Sequence, residues 1–234
     1  MKKREWILGI AVAFSMLLVV LISAVEAAIY SDFNFYEKEY EKYNVLSELE
    51  MEMEDVMHVT KEMMAYLHHA RAELQVDTVV NGEARPFFNE REILHMEDVK
   101  DLFLIAMQIR MVAIVIILSG SVFLYERKQN WKSMLAKYYI ASVTALLGIG
   151  GALGFLVSRN FSKYFVIFHE LFFDNDLWLL DPKTELMIRM LPEGFFADFT
   201  LRIGIFVGIA IVGTLIVSIL VWKWDKNKQN LLID

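Results

Sequence analysis

The stretch NEREILHMEDVKDLFLIAMQIRMVAIVIILSGSVFLY, residues 89–125, decides the fold. Asn89 followed by Glu92 three residues later is the pattern of a capping box, which closes the start of an α-helix. Residues 102–125 are largely apolar, and about 20 such residues suffice to cross a bilayer. We therefore expect one helix that begins at Asn89 and continues without interruption into a membrane span. Arg110 interrupts the span and is expected near its outer end, where a long side chain can reach the headgroups.

Three further stretches are long and apolar enough to cross a membrane: residues 6–30, 134–157 and 199–222. Together the four stretches predict an all-α membrane protein with four transmembrane helices. The third span contains GIGGALG, residues 148–154, whose small residues would let a neighbouring helix approach closely. A phosphate-binding loop is the weaker interpretation of these glycines, because no strand precedes them and no Lys-Ser or Lys-Thr pair follows.

The composition excludes several classes of protein and site. Hydrophobic residues make up 56% of the chain and the mean hydropathy is +0.41, whereas a soluble domain has roughly 45–50% apolar residues. The formal charge is −7, and the sequence has no basic patch to neutralise the phosphates of a nucleic acid. The absence of cysteine excludes a disulfide, a cysteine-bound zinc ion and a thiol nucleophile.

Basic residues flank the predicted spans at three places, which predicts the orientation of the chain. They are Lys2, Lys3 and Arg4; Arg127, Lys128, Lys132 and Lys137; and Lys223, Lys226 and Lys228. Since short cytoplasmic segments carry an excess of Lys and Arg, both termini are expected in the cytoplasm. The first span could be a cleaved signal peptide, but its apolar run is long for one, so we expect an uncleaved anchor.

The expected organisation is a span, an external cap and three further spans. The segments are 1–30, the first transmembrane helix; 31–101, an extracellular cap; 102–157, helices two and three with a cytoplasmic turn; 158–198, an extracellular loop that completes the site; and 199–234, the fourth helix and a cytoplasmic tail. Apolar residues recur every three or four positions between 46 and 67, so the cap should be mainly helical. Asn81-Gly82 predicts a turn and Pro86 a break, and no strand is expected.

Two histidines fall just outside predicted spans, on the same side and at similar depth. His95 shares a helix face with Asp98, which could orient it or stabilise its charge, although such pairs are more often ordinary surface pairs. His169 lies among aromatic residues and precedes DNDLWLLDP, residues 174–182. Those aromatics fit an interfacial belt. They also fit an aromatic-walled polar pocket, because acidic groups beside apolar surface need exposure or partners.

Two familiar catalytic motifs are absent from the sequence. His169-Glu170 begins like the zinc-protease motif, but Phe173 stands where its second histidine would be. There is no Gly-x-Ser-x-Gly elbow, so a lipase-like serine nucleophile has no support.

Three segments resemble signature segments of the bacterial lipoprotein intramolecular transacylases (Lit), within a broader family of four-span bacterial membrane proteins. They are HMEDVKDLF, residues 95–103; FHELFFDNDLWLLDP, residues 168–182; and LMIRMLPEGFF, residues 186–196. The order of span, cap and three spans is similar over essentially the whole chain, while residues 40–67 match more loosely.

The resemblance implies an intramolecular acyl transfer. Lit enzymes move the sn-2 acyl chain of a diacylglyceryl lipoprotein onto the amine of its N-terminal cysteine, which gives a lyso-form lipoprotein. Two histidines at the boundary of cap and membrane are catalytic in that family, and the matching positions here are His95 and His169. The implied partners are a diacylated bacterial lipoprotein and membrane lipid, and we expect a monomer.

This chemistry suits histidine. The substrate amine is itself the nucleophile, so a base must take its proton and an acid must protonate the departing glyceryl oxygen. Histidine, with a pKa of about 6.5, suits both roles, and no cofactor or metal is required. Which histidine is the base stays open. Both rings should face one aromatic-walled cavity.

Supporting roles are expected for residues near the two histidines. They are Asp98 as the orienting partner of His95, Asn175 or Asp176 as a polar contact near His169, and Phe172, Phe173 and Trp178 as walls. Two rival functions are also compatible with the sequence. One is a non-catalytic envelope protein whose acidic cap binds a partner, and the other is a hydrolase that releases the sn-2 acyl chain.

Overall fold

A computed structural model describes residues 3–127 and 130–230, and it is built almost entirely of helices. Lys2 and Lys128, two of the basic residues used to predict the orientation, lie outside the described residues. The helices are α1 (Lys3–Tyr30), α2 (Asn34–Lys42), α3 (Val45–Leu49), α4 (Met53–Leu67), α5 (Glu90–Arg127), α6 (Trp131–Arg159), α7 (Phe161–Phe172), α8 (Leu186–Met190) and α9 (Glu193–Asn230). Strands β1 (Asp77–Val80) and β2 (Glu83–Pro86) form one antiparallel pair.

Among the described residues, four helices are long and apolar enough to cross a membrane: α1, α5, α6 and α9. Their most apolar windows have mean hydropathies between 2.1 and 2.7. Each contains one of the four predicted spans, so the predicted all-α fold with four such helices is confirmed. At about 1.5 Å per residue, α5 and α9 are longer than a hydrocarbon core of about 30 Å requires and extend beyond it.

The predicted capping box forms at the start of α5. The Asn89 backbone N–H donates to Glu92 Oε2 over 2.8 Å, and the Glu92 N–H donates to Asn89 Oδ1 over 2.9 Å. The second carboxylate oxygen of Glu92 accepts from the Met187 N–H over 2.6 Å, at the start of α8. Glu92 therefore ties two helix starts together while its side chain is buried. Helix α5 then runs without a break into the apolar stretch, as predicted.

The first of two compact units comprises Met1–Ala28, Ala106–Arg159 and Ile203–Asp234. Buried apolar side chains among its described residues include two clusters: Ala13, Leu17, Tyr139, Val143 and Ile211; and Val12, Leu124 and Leu135. The Tyr139 hydroxyl shares a hydrogen bond of 2.7 Å with Thr214 Oγ1, which gives both polar groups a partner inside an apolar cluster.

Arg110 belongs to this unit and forms an ion pair with Glu26 of α1. The expectation that its side chain reaches the headgroups stays a prediction. Because an uncompensated charge in apolar surroundings is costly, a carboxylate on a neighbouring helix stabilises the guanidinium. Sequence spacing could not indicate Glu26, since the pairing depends on how α1 and α5 are packed.

Within this unit, side chains of neighbouring helices come close to the backbone at Gly9 and Gly120 rather than at the glycine run of residues 148–154. A Cβ on Gly120 would lie 2.4 Å from Val12 Cγ2, and one on Gly9 would lie 2.8 Å from Tyr138 Cε2. At the glycines of residues 148–154, no neighbouring element among the described residues comes within 4 Å of an added Cβ. The prediction of close helix packing at this run is not met among residues 3–127 and 130–230, because small residues permit an approach but do not attract a partner.

The second unit comprises Ile29–Ile105 and Asn160–Arg202, and it holds both histidines. Aromatic rings fill part of its core: Tyr40 stacks on Phe195 with centroids 6.0 Å apart, and Phe195 stacks on Phe199 at 5.7 Å. The Tyr40 hydroxyl bonds to Thr60 Oγ1 of α4 over 2.6 Å, so α2, α4 and the start of α9 share one buried cluster.

The β1–β2 hairpin contradicts the expectation that no strand is present. The predicted turn at Asn81-Gly82 joins the strands, and both residues have positive φ, 52° and 75°, as a tight two-residue hairpin requires. Each strand has only four residues. Such short segments give too few alternating positions for a pattern to stand out, whereas the turn residues have a strong local preference.

Candidate active site

His95 lies on α5, one helical turn beyond the capping residue Glu92. It is 7% exposed, and its Nδ1 is buried with no hydrogen-bond partner among the described residues. A buried polar atom without a partner costs about 1–3 kcal/mol, so such atoms are rare and mark sites that a ligand can complete.

His169 lies in the last turn of α7 and is 8% exposed. Its Nδ1 is 2.7 Å from the Phe165 carbonyl oxygen, one turn earlier in the helix. Since a carbonyl oxygen only accepts, Nδ1 must be the donor, and the neutral ring carries its lone pair on Nε2. Burial lowers the pKa of His169 below its ordinary value, and the bond to Phe165 partly offsets that effect. His169 is therefore neutral near pH 7, with Nε2 able to accept a proton.

The structure brings the two histidines together. Their ring centroids are 6.1 Å apart and the ring planes meet at 34°. Phe173 packs against both rings, with centroids 5.2 Å from His95 and 5.6 Å from His169. A reacting group between the imidazoles would contact both of them.

Aromatic rings surround His169 on its other sides. Trp178 stacks on it at 4.9 Å and 30°, Phe165 lies at 4.3 Å, and Phe168 lies edge-on at 5.5 Å. Of the three predicted walls, Phe173 and Trp178 contact a histidine. The third, Phe172, is 49% exposed and packs on Phe168 at 4.8 Å.

Asp98 bonds to a loop residue, whereas it was expected to orient His95. Its Oδ2 accepts a hydrogen bond of 2.8 Å from Asn175 Nδ2. No hydrogen bond between Asp98 and the His95 ring occurs among the described residues. Burial lowers the pKa of His95 to about 4, and the negative charge of Asp98 only partly offsets that effect, so Asp98 acts on the ring through its charge rather than through a hydrogen bond.

Asn175 and Asp176 also contact other residues rather than the imidazoles themselves. The Asn175 carbonyl accepts from Trp178 Nε1 over 3.0 Å, which holds the indole that stacks on His169. Arg91 of α5 donates to the Asp176 carbonyl and lies 3.6 Å from the Asp176 carboxylate. The loop is thus tied to α5 both before and after His95.

Arg91 was missed by the sequence reasoning. It precedes His95 by four residues and therefore shares its helix face, but an arginine at a helix start gives no signal that separates it from a solvated residue. Within residues 3–127 and 130–230, no three His, Asp or Glu side chains converge to hold a metal ion.

The chain is similar to proteins of one family. The family model described as lipoprotein intramolecular transacylase Lit matches residues 10–196. The in meso structure of the membrane-integral lipoprotein intramolecular transacylase Lit from Bacillus cereus is 22% identical and superposes with a TM-score of 0.75, covering 99% of this chain and 100% of that one.

Two variant structures of the same Bacillus cereus protein are also similar. One has a histidine replaced by arginine, with 22% identity, a TM-score of 0.71 and coverage of 97% of this chain and 94% of that one. The other has a histidine replaced by alanine, with 22% identity, a TM-score of 0.72 and coverage of 97% and 96%. No curated protein matches the chain. Together with the four apolar helices, the shared fold identifies a multi-pass membrane protein.

Proposed function

The chain belongs to the lipoprotein intramolecular transacylase Lit family, an acyltransferase family, and we propose that His95 and His169 carry out its acyl transfer. The reaction moves the sn-2 acyl chain of a diacylglyceryl lipoprotein onto the amine of its N-terminal cysteine. The observation that supports this assignment is the pair of buried imidazoles, 6.1 Å apart, of which His169 has a partner for its Nδ1 and His95 has none among the described residues.

His169 is the base in this mechanism. Its Nε2 accepts a proton from the substrate amine as the nitrogen attacks the sn-2 ester carbonyl and forms a tetrahedral intermediate. The C–O bond to the glyceryl group then breaks, and the departing oxygen takes the proton that His169 received. One amide and one alcohol replace one amine and one ester, and both histidines end neutral, so the step needs no external reactant.

His95 stabilises the charge that develops during this step. The ester oxygen becomes an oxyanion in the tetrahedral intermediate, and a ring N–H of His95 is a suitable donor to it or to the departing glyceryl oxygen. The buried Nδ1 supports the assignment, since contact with the reacting groups would give this atom the partner that it lacks among the described residues.

The aromatic surroundings favour transfer over hydrolysis. Phe165, Phe173 and Trp178 cover His169 and leave little room for water to compete with the amine. Amine and ester belong to the same substrate molecule, so holding them together replaces a bimolecular encounter. Such positioning contributes on the order of 7 kcal/mol in favourable cases.

The substrate class and orientation follow from the same proposal. The substrate is a diacylated bacterial lipoprotein whose acyl chains remain in the bilayer. The cap faces outward and both termini are cytoplasmic, as the basic residues near the span ends predict. Both histidines come from one chain, so a monomer holds the whole site.

The test is the mass of a lipoprotein N-terminal peptide from a bacterial host that accumulates diacylated lipoproteins. Expression of this chain should move one acyl group from oxygen to nitrogen at unchanged total mass. Loss of one acyl mass would instead identify a hydrolase. An unchanged peptide in the presence of correctly inserted protein would contradict both enzymatic functions.

A matched set of variants separates catalysis from folding. His169→Asn and His95→Leu should abolish the shift without loss of the protein from the membrane. His58→Asn is the control, because His58 is exposed on α4. Equal activity of all three variants would contradict the assignment of the two histidines.

A further inference from the structure

Helix α7 exposes an unusually apolar surface. Five large apolar side chains of this 12-residue helix are exposed. They are Val166 (41%), Ile167 (42%), Phe168 (48%), Leu171 (74%) and Phe172 (49%). At about 25 cal/mol per Å² of apolar surface, leaving them in water is unfavourable, and a contiguous group of this kind marks a surface that contacts something else.

The exposed surface is divided into apolar and polar sides. At about 100° per residue, Ile167 and Leu171 lie on the side of α7 opposite His169. The exposed polar residues Lys163 and Glu170 lie together at about 100–120° from His169, and Val166 lies between them and Ser162. Such a division suits a helix in a membrane interface, with the apolar side among lipid and the polar side towards water.

The position of α7 in the chain identifies lipid as the occupant. Helix α6, one of the four membrane-crossing helices, ends at Arg159, and α7 begins at Phe161. Consecutive Cα atoms are about 3.8 Å apart, so the start of α7 lies within about 8 Å of the end of a span. Leu156 of α6, three residues before that end, is apolar and exposed as well.

We propose that the apolar side of α7, formed by Ile167, Phe168, Leu171 and Phe172, is immersed in the interfacial region of the bilayer, with phospholipid acyl chains against it. The polar side then faces water. If the proposed function also holds, lipid reaches the aromatic ring of Phe168, which contacts His169, so a substrate acyl chain can approach the site from the membrane. The placement of α7 itself does not depend on that function.

Site-specific fluorescence tests the proposal without any assay of activity. The chain has no cysteine, so a single introduced cysteine can be labelled with an environment-sensitive fluorophore. Leu171→Cys probes the apolar side and Glu170→Cys the adjacent polar side of the same helix. Val79→Cys, an exposed apolar position in the hairpin, and Leu156→Cys, in the third span, are the low and high references.

The full-length protein is reconstituted in phosphatidylcholine vesicles with and without acyl chains brominated close to the headgroup. We expect quenching at Leu171→Cys close to that at Leu156→Cys, with at least a twofold smaller effect at Glu170→Cys and almost none at Val79→Cys. Quenching at Leu171→Cys as weak as at Val79→Cys would overturn the proposal. A blue-shifted emission that persists unquenched would mean that a second copy or another segment covers the face, which also overturns it. Ile167→Cys repeats the test at a second apolar position, should labelling at Leu171 disturb the protein.

Discussion

The rings of His95 and His169 lie 6.1 Å apart, yet their Nδ1 atoms are in different environments. His169 Nδ1 is engaged by the Phe165 carbonyl, whereas His95 Nδ1 is buried without a partner among the described residues. The bond to Phe165 fixes a tautomer of His169 with a free Nε2. Under the proposed function, His95 Nδ1 is the nitrogen left for the substrate.

This difference predicts that the enzyme tolerates glutamine better at position 95 than at position 169. A base at His169 cannot be replaced by an amide, so His169→Gln and His169→Leu should both lose roughly 10²–10⁴-fold in rate. A hydrogen-bond donor at His95 can be replaced in part, so His95→Gln should keep more activity than His95→Leu. Rates of acyl shift on a synthetic diacylated lipopeptide measure this. Equal loss in His95→Gln and His95→Leu would contradict the donor role.

The pH profile should depend on the burial of His169. Because burial lowers the pKa of His169, its neutral form persists below about pH 6.5, and the acid limb that it causes in kcat lies below that value. The substrate amine has an ordinary pKa of about 7.7–8.0 and attacks only when it is deprotonated. It therefore causes a second rise of the rate at higher pH.

Trp178→Leu tests the cause of this shift. Removing the stacked indole exposes the His169 ring to water, so the lower limb should move up towards pH 6.5. A Phe172→Leu variant is the control, because Phe172 packs on Phe168 and is half-exposed. A lower limb that stays in place in Trp178→Leu would contradict burial as its cause.

The Asp98–Asn175 hydrogen bond should contribute by positioning the loop that holds Trp178, more than through the charge of Asp98. In Asp98→Asn the new amide oxygen can still accept from Asn175, so activity should stay within about threefold of wild type. Asp98→Leu removes the acceptor and releases the loop that holds Trp178, and about a tenfold loss is expected, since 1.4 kcal/mol corresponds to tenfold. Single-turnover rates and KM separate this from weaker binding. If Asp98 instead stabilised a charged His95 directly, Asp98→Asn would be as damaging as Asp98→Leu.

Glu92 should contribute mainly to stability. Its carboxylate accepts backbone N–H groups from Asn89 and Met187, and a glutamine would turn an amide group towards one of those donors. We expect Glu92→Gln to lower the free energy of unfolding by about 1–3 kcal/mol. Thermal unfolding in detergent measures this, and Glu97→Gln, on the exposed side of α5, should leave the unfolding temperature unchanged. Equal unfolding temperatures for the two variants would show that the buried bonds of Glu92 add little.

Local patterns determined much of this protein from sequence alone. The Asn89–Glu92 box and the apolar run after it predicted α5, because capping and the 3.6-residue repeat depend only on neighbouring residues. The turn at Asn81-Gly82 was equally predictable, since those two residues adopt positive φ easily. His95 and His169 were identified by their similar distance from predicted spans and by the segments that resemble the Lit family.

Only the tertiary structure decided which groups are partners. Asp98 bonds to Asn175, Arg110 pairs with Glu26, and Arg91 holds the loop at Asp176, although none of these partners is close in sequence. Such contacts depend on how distant elements pack, and several donors or acceptors of similar strength compete for each. The same holds for the site: sequence indicated two histidines at one depth, but the different environments of their Nδ1 atoms arise from the packing of α5, α7 and the loop between α7 and α8.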